Sequence, residues 1–486
     1  MDRAPIDSAL ILTTTRIFNR PGEPSPASPR TMVGGLSLFQ RTILTLQRGG
    51  ISRFIVLAGN ETEDLRRQLR SDERIRGEVR WLPVLEFSPG DPRTWEIFPG
   101  LFGAPYLVVG TGAVFPASLV ARVRQEAGNN ETLVVVREGP SSASGIGRST
   151  FFTEQFLSGE ASPPPIPPPG APIALPNAMG HGRVREGGQG VVMTLETPAT
   201  PILDVDLAVI PEGFTASGWA TPQDGPFPMH AALERAVRRG QARVLPLGSD
   251  WYQDVCAEGR AGPDEAERQL LRMLKGGLEG FVDRHFNRRC SRWITRWLVR
   301  TPLTPNGVTV LATAVGVLAS VAFGVGGYAA GIIGALLFQL SAILDCCDGE
   351  VARLKFMESA FGEQFDVVLD NVVHLALYAG IAWASFEHNW GPMALLLGGF
   401  AMLGNVAAFV VVQRATRMRK GLAPERRRVV ESILNSLVSR DFSVLILALA
   451  LVGRVDWFLP LAAIGSNLFW PVLAFQLRSP NTSAHV

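Results

Sequence analysis

The sequence predicts two unlike parts in one chain: an N-terminal α/β domain followed by an all-α domain of six transmembrane helices. Three observations predict it. Charge, glycine and proline are mixed through roughly the first 275 residues, whereas long apolar runs dominate from about residue 303. The first part alternates β-rich runs with helical patterns, which suggests a sheet with parallel strands. The second part holds six apolar segments, each near the ~20 residues a helix needs to cross a bilayer. The partition is therefore an α/β domain over 1–262, a linker and amphipathic membrane-surface helix over 263–302, a six-span domain over 303–478 and a tail over 479–486.

Composition narrows the classes further. The formal net charge is only +2, and 47% of residues are hydrophobic. Membrane lipids are the expected surroundings, and no nucleic-acid partner is expected. The four cysteines (Cys256, Cys290, Cys346, Cys347) lack CxxC spacing and two are adjacent. That argues against a disulfide framework or zinc site and fits a reducing compartment. The run Ala9-Leu10-Ile11-Leu12 is too short for a signal peptide.

In chain order, residues 6–14 make a first buried strand. Residues 34–50 carry Leu36, Phe39, Ile43, Leu44 and Leu46 at helical spacing. A second strand follows over 51–58 and a polar helix over 62–70, with further strands over 79–85, 105–109 and 131–136. The proline-rich stretch 161–176 reads as an irregular loop, and 201–211 and 242–254 as late strands. This order of strand, link, helix ending in Arg48-Gly49-Gly50-Ile51 and strand resembles the nucleotidyltransferase fold, its cytidylyltransferases in particular. That family cradles nucleotide phosphates with a glycine-rich loop. Here the loop is T-T-T-R-I-F-N-R, Pro29-Arg30 stands where the family has a lysine, and Thr111 stands in place of a metal-binding aspartate. Asp254 matches the second metal aspartate, with one residue inserted. The expectation is a degenerate domain kept for packing, regulation or assembly.

Next comes a charged helix over 263–279, then a segment in which Phe281, His285, Cys290, Trp293, Ile294, Trp297 and Leu298 share a helical face among many arginines. Tryptophan with arginine at this density suits a helix lying in a membrane surface. Pro302 and Pro305 end it before the spans, which fall at about 306–326, 328–352, 363–386, 391–413, 440–454 and 457–477. Basic residues crowd the stretch before the first span, the second-to-third turn (Arg353, Lys355) and the fourth-to-fifth loop (Arg414, Arg417, Arg440 among others). The alternate loops hold only Arg454. By the positive-inside rule the chain is a multi-pass protein of the cytoplasmic (inner) membrane, with its N-terminal domain and the 345–370 segment on the cytoplasmic side.

Residues 345–370 carry the chemistry: D-C-C-D-G-E-V-A-R-L-K-F-M-E-S-A-F-G-E-Q-F-D-V-V-L-D. Asp345 and Asp348 are i and i+3, Asp366 and Asp370 i and i+4, so each pair shares a helix face. Tyr328 to Leu344 is 17 residues, roughly 26 Å of helix, which brings both pairs to the same end of neighbouring spans. Four carboxylates beside lipid repel unless cations neutralise them, and oxygen-only ligands suit two Mg²⁺ or Mn²⁺ ions. Gly349 and Gly362 leave room for a nucleotide against the backbone, Ala352 keeps the same face open, and Arg353 offers a phosphate contact.

The pattern Asp345-x-x-Asp348-Gly349-x-x-Ala352-Arg353, then Gly362-x-x-x-Asp366-x-x-x-Asp370, resembles the complete signature of the CDP-alcohol phosphotransferases, eight fixed positions over 26 residues. The resemblance implies transfer of a phospho-alcohol group from a CDP-alcohol donor to a hydroxyl acceptor, with release of CMP. It implies metal ligation by Asp345, Asp348, Asp366 and Asp370, with Asp370 also the catalytic base. It places Asn306 (in Thr304-Pro305-Asn306), Asp345, Gly349, Ala352, Arg353 and Gly362 at the CDP moiety. It further implies a homodimer. The two-part arrangement resembles the bifunctional inositol-phosphate cytidylyltransferase/di-myo-inositol-phosphate-phosphate synthase type, a likeness strengthened by Gly280-Phe281-Val282 and Asn287-Arg288.

Arg414, Arg417 and Arg440 are candidates for holding a phosphate on the acceptor, the alternative being topology alone. His374 is expected to line the core or pocket, and Trp383, Trp390, Trp457 and Trp470 to anchor or pack. The leading function is an integral-membrane transferase of phospholipid or polar-lipid synthesis. The alternatives are a bifunctional enzyme that also makes its CDP-polyol donor, and a non-catalytic membrane binding protein.

Overall fold

The computed structural model describes residues 6–13, 17, 24–102, 105–127, 131–137, 205–211, 228–257, 262–274, 286–418 and 442–478. They form two compact units, one of residues 1–29, 45–70 and 75–254, the other of residues 30–44, 71–74 and 255–486.

Chain order begins with β1 (Ser8–Leu12), β2 (Met32–Val33), β3 (Leu36–Ser37) and α1 (Leu38–Arg48). Then follow β4 (Arg53–Ala58), α2 (Thr62–Arg70), β5 (Glu78–Pro83), α3 (Pro92–Phe102), β6 (Tyr106–Gly110), β7 (Ala113–Val114), α4 (Ala117–Glu126) and β8 (Thr132–Val136). Next are β9 (Leu207–Ile210), α5 (Pro228–Arg238), β10 (Ala242–Pro246) and β11 (Gln253–Asp254). Among the described residues of the first unit seven strands form one sheet in the order β10-β8-β9-β6-β1-β4-β5. Every residue of β1, β6, β8 and β9 is buried, as expected of strands covered on both faces. Leu10, Leu12, Ile55, Leu57 and Val108 of the sheet pack with Trp95 and Phe98 of α3 and with Met229 and Leu233 of α5.

Two features depart from the sequence reading. Strand β9 runs antiparallel to both its neighbours, β6 and β8, in a sheet otherwise parallel. Apolar runs report burial and carry no strand direction, so the parallel expectation was too uniform. The expected helix over 34–50 begins only at Leu38. Gly34 (φ +58°) and Gly35 (φ +80°) close a β2–β3 hairpin in the left-handed region, which takes Leu36 out of the helix. The loop of residues 13–20 and the proline-rich stretch fall wholly or largely outside the described residues.

In the second unit the helices are α6 (Pro263–Met273), α7 (Arg288–Leu298), α8 (Pro305–Val325), α9 (Tyr328–Leu354), α10 (Ala360–Ser385), α11 (Pro392–Met418), α12 (Phe442–Leu451) and α13 (Phe458–Arg478), with a π-helical turn, Phe386–Trp390, continuing α10. Among the described residues five helices are long and apolar enough to cross a membrane: Pro305–Val325, Tyr328–Leu354, Ala360–His388, Pro392–Arg417 and Val455–Phe475. The fifth expected span, 440–454, is represented among the described residues by the ten residues of α12. Phe323, Phe338, Leu377, Tyr378, Ile381, Ile446, Phe458 and Leu459 make the common core.

Helices α8 and α10 approach to backbone contact. A Cβ added at Gly380 would lie 2.2 Å from the Ser320 carbonyl oxygen, and one at Gly316 would lie 2.6 Å from Val373 Cγ1. Small residues at such crossings are how membrane helices gain packing where apolar burial gives no drive. Helix α9 ends in a left-handed residue, Phe356 (φ +55°). The Met357 amide donates to Ala352 O, and the Arg41 guanidinium donates to Leu354 O at 3.0 Å. These contacts satisfy the orphan carbonyls of the helix end. Burial lowers the Arg41 guanidinium pKa to about 10.

Helix α7 turns its polar stripe inward. Asn287, Ser291 and Thr295 are buried, while Trp293 and Trp297 are exposed. The buried Glu350 carboxylate of α9 accepts from Arg288 Nη1 (2.9 Å), Ser291 Oγ (2.9 Å) and Thr295 Oγ1 (2.7 Å). Gln339 Nε2 donates to Asn287 Oδ1 at 2.7 Å. A buried charge needs such partners, and the aromatic stripe is left facing outward.

Candidate functional site

Three helix ends build the site. Thr304 caps α8, its Oγ1 accepting from the Gly307 amide at 3.2 Å, and Pro305 opens the helix with φ preset. Ser359 caps α10 in the same way, accepting from Gly362 N at 3.0 Å. The five residues 355–359 join the C-terminal end of α9 to the start of α10. The aspartate pairs on these two helices are thereby brought to the same end of the bundle.

Carboxylate oxygens of Asp345, Asp366 and Asp370 all lie within 4.8 Å of one another. Asp348 stands beside them, 7% exposed, its Oδ2 accepting from Thr309 Oγ1 at 2.5 Å. Asp366 Oδ1 is buried without a hydrogen-bond partner among the described residues. An orphan carboxylate oxygen within a cluster of like charges fits a divalent cation, since oxygen donors are what Mg²⁺ and Mn²⁺ take. Arg353 sits on the adjoining wall.

A cleft of about 580 Å³ adjoins the cluster. Asn306, Asp348, Gly349, Ala352, Arg353, Gly362 and Asp366 all line it. Asp345 and Asp370 belong to the carboxylate cluster and are absent from the cleft lining. A Cβ added at Gly362 would meet Ser359 Oγ at 3.1 Å and Asn306 Oδ1 at 3.2 Å, whereas one at Gly349 would meet only the Arg353 guanidinium, at 3.5 Å. Gly362 is thus the tighter position.

Arg414 and Arg417 are exposed on the last turns of α11 and do not line this cleft. Arg440 lies outside the described residues. His374 packs edge-on against Phe442, ring centroids 5.3 Å apart. Thr309 was missed in the sequence. Its signal was a hydroxyl one helical turn beyond Asn306. Glu358, Ser359 and Glu363 also line the cleft and were not singled out.

In the first unit, Asp254 is paired with Arg137, Nη2 to Oδ2 2.6 Å, and that guanidinium stands over the Tyr252 ring. Thr111 is buried, its hydroxyl donating to Thr13 O at 3.4 Å. Asp206, also buried, stands beside Gly110, where an added Cβ would lie 3.1 Å from its Oδ2. Sequence reasoning missed Asp206, because it comes from a strand far away in the chain. Arg30 is exposed.

Residues 302–469 match the family model described as CDP-alcohol phosphatidyltransferase. The C-terminal region thus carries a domain of that family. A bifunctional IPC transferase and DIPP synthase from Thermococcus kodakarensis is 34% identical over 229 residues, 46% of this chain and 49% of that protein. The matched stretch is therefore about half the length of that relative. A phosphatidylinositol phosphate synthase from Mycobacteroides abscessus is 27% identical over 173 residues, 34% of this chain and 77% of that one. Among solved structures, the inositol-1-phosphate CTP transferase from T. maritima aligns with 12% identity and a TM-score of 0.32, covering 57% of this chain and 100% of that chain.

Proposed function

We propose that a domain of the CDP-alcohol phosphatidyltransferase family, set in a membrane by the long apolar helices, makes this chain a transferase of phospho-alcohol groups. The donor is a CDP-alcohol, the acceptor a hydroxyl compound and the leaving product CMP. The observation that carries the reading is the convergence of Asp345, Asp366 and Asp370 within 4.8 Å beside a cleft lined by the remaining signature residues.

Asp345, Asp348, Asp366 and Asp370 would hold two divalent cations, Mg²⁺ or Mn²⁺. When bound, such ions neutralise the donor diphosphate and the charge that develops on its leaving phosphate. The chain's own groups supply the rest. Thr309 fixes the Asp348 carboxylate by donating to it, leaving its other oxygen to a ligand. Asn306, Gly349, Ala352 and Gly362 shape the wall against which the cytidine part would lie, and Arg353 adds a cation for a phosphate. Asp370 takes the proton of the acceptor hydroxyl as that oxygen bonds to the donor's β-phosphorus. The bond from that phosphorus to the oxygen bridging the two phosphates breaks, and CMP leaves with the electron pair.

The basic residues at the aspartate end of the spans favour the cytoplasmic face of the inner membrane for the site, and a homodimer is the assembly we adopt. We assign catalysis to the helical unit. In the sheet unit Arg137 already holds Asp254, which argues against a second metal site there and hence against donor synthesis. Mass spectrometry of lipids and polar metabolites from cells expressing the full chain, or its Asp370→Asn variant, tests the reading. A product that accumulates with the native chain and not with the variant is expected. Equal accumulation in both would overturn the assignment of Asp370.

A further inference from the structure

The end of the spans opposite the aspartates holds a second cavity, of about 300 Å³. It lies where α8 ends, α9 begins, α10 ends and α12 passes to α13. Asp456 lines it while only 5% exposed, and its Oδ2 is buried with no hydrogen-bond partner among the described residues. A carboxylate oxygen accepts hydrogen bonds, and leaving one buried without a donor is costly. The buried Oδ2 is thus short of a hydrogen-bond donor.

The walls define the donor's chemistry. Phe323 and Tyr328 are among the cavity's lining residues, and aromatic side chains favour a cation nearby. Tyr328 Oη donates to Leu451 O at 3.2 Å, tying the start of α9 to the end of α12. His388 also lines the cavity, its Nδ1 2.9 Å from Ala384 O. A carbonyl only accepts, so Nδ1 carries a proton there, and in that tautomer Nε2 is an acceptor. Gly326 is built to this ring: its φ is +75°, and an added Cβ would lie 2.7 Å from His388 Cε1. The space holds about ten waters at ~30 Å³ each, more than a bare ion fills.

We propose that this cavity is a binding site for a primary ammonium group, with Asp456 and His388 Nε2 accepting its N–H bonds and Phe323 and Tyr328 flanking its charge. Such a group is offered by an aminophospholipid headgroup or by a free small amine. A quaternary ammonium has no N–H to give and is excluded.

The test uses the full-length protein in nanodiscs of equal parts phosphatidylethanolamine and phosphatidylcholine, with retained lipid read by native mass spectrometry. A second arm titrates free ethanolamine against the detergent-solubilised protein and follows thermal unfolding. The native chain should prefer phosphatidylethanolamine at least tenfold, and Asp456→Asn should abolish the preference. Stabilisation by ethanolamine without lipid preference would support the site with a free amine as its ligand. Neither response, or the same response in Asp456→Asn, would overturn it. Should Asp456→Asn fail to fold, His388→Ala decides at an exposed position: a several-fold weaker preference supports the site, an unchanged one overturns it.

Discussion

Arg288 and Glu350 form an ion pair at 2.9 Å with side chains 11% and 1% exposed, tying the surface helix α7 to the same helix that carries Asp345 and Asp348. Two hydroxyls, from Ser291 and Thr295, complete the Glu350 shell. Removing one partner of a buried pair costs about 3–5 kcal/mol, because the other charge stays buried. Glu350→Ala should therefore lower the unfolding temperature markedly, and Glu350→Gln, which keeps the two hydroxyl bonds, should do so less. Thermal unfolding of purified protein reads the difference. Indifference to both changes would mean that α7 is docked by other contacts.

Thr309→Val removes the donor to Asp348 while keeping the shape. A hydrogen bond to a charged group contributes about 1.5–3 kcal/mol, so the Mg²⁺ concentration giving half-maximal CMP release should rise about tenfold or more. Turnover at saturating Mg²⁺ should largely return. A lower turnover at every metal concentration would place Thr309 in the chemical step instead.

Gly362 and Gly349 separate by space. Gly362→Val should push Asn306 and Ser359 aside and raise the donor KM about tenfold, a loss of binding in the usual kinetic reading. Gly349→Ala should be milder, because the Arg353 tip can give way. Steady-state kinetics with varied CDP-alcohol distinguishes the two.

Chelation should abolish CMP release, and Mg²⁺ or Mn²⁺ should restore it. A cation that binds only the folded state stabilises it by about 2.7 kcal/mol at a hundred times its Kd. Metal addition should therefore raise the unfolding temperature of the native chain, and much less that of Asp366→Asn. Equal stabilisation of both would move the cation elsewhere.

Acidification should weaken the contact of α6 with α7 slightly. The Arg296 hydrogen bond, joined by the Arg296 and Arg300 charges, holds the Asp264 carboxyl below its ordinary value. A depressed carboxyl contributes stability above its unfolded pKa of 3.8 and loses it as pH falls through the lower folded value. Asp264 is 66% exposed, so solvent screening limits the contribution to under about 1 kcal/mol. Comparing Asp264→Asn with the native chain from pH 6 to pH 2 measures it.

The aspartate segment was legible because its chemistry is written at helical spacing: i,i+3 and i,i+4 pairs must share a face once the helix forms. The sheet was legible for a similar reason, through runs such as Ser8–Leu12 and Thr132–Val136. Partners from distant segments were not. Thr309 meets Asp348 from another span, Glu350 draws its donors from α7, and Asp206 reaches Gly110 across the sheet. Local pattern states what a residue needs without saying who supplies it. The turn at Gly34-Gly35 was hidden differently, because the apolar spacing continued through it.

Gly380 extends the reach of these requirements. It lies 14 residues beyond Asp366 on α10, about 21 Å along the helix, and touches no cleft residue. Yet a methyl group there would collide with the Ser320 carbonyl. It would lever α8 away, carrying Asn306 and Thr309 with it. A genetic selection for lost product formation should thus return alleles at this remote glycine, and suppressors at small residues facing it on α8, rather than at the carboxylates.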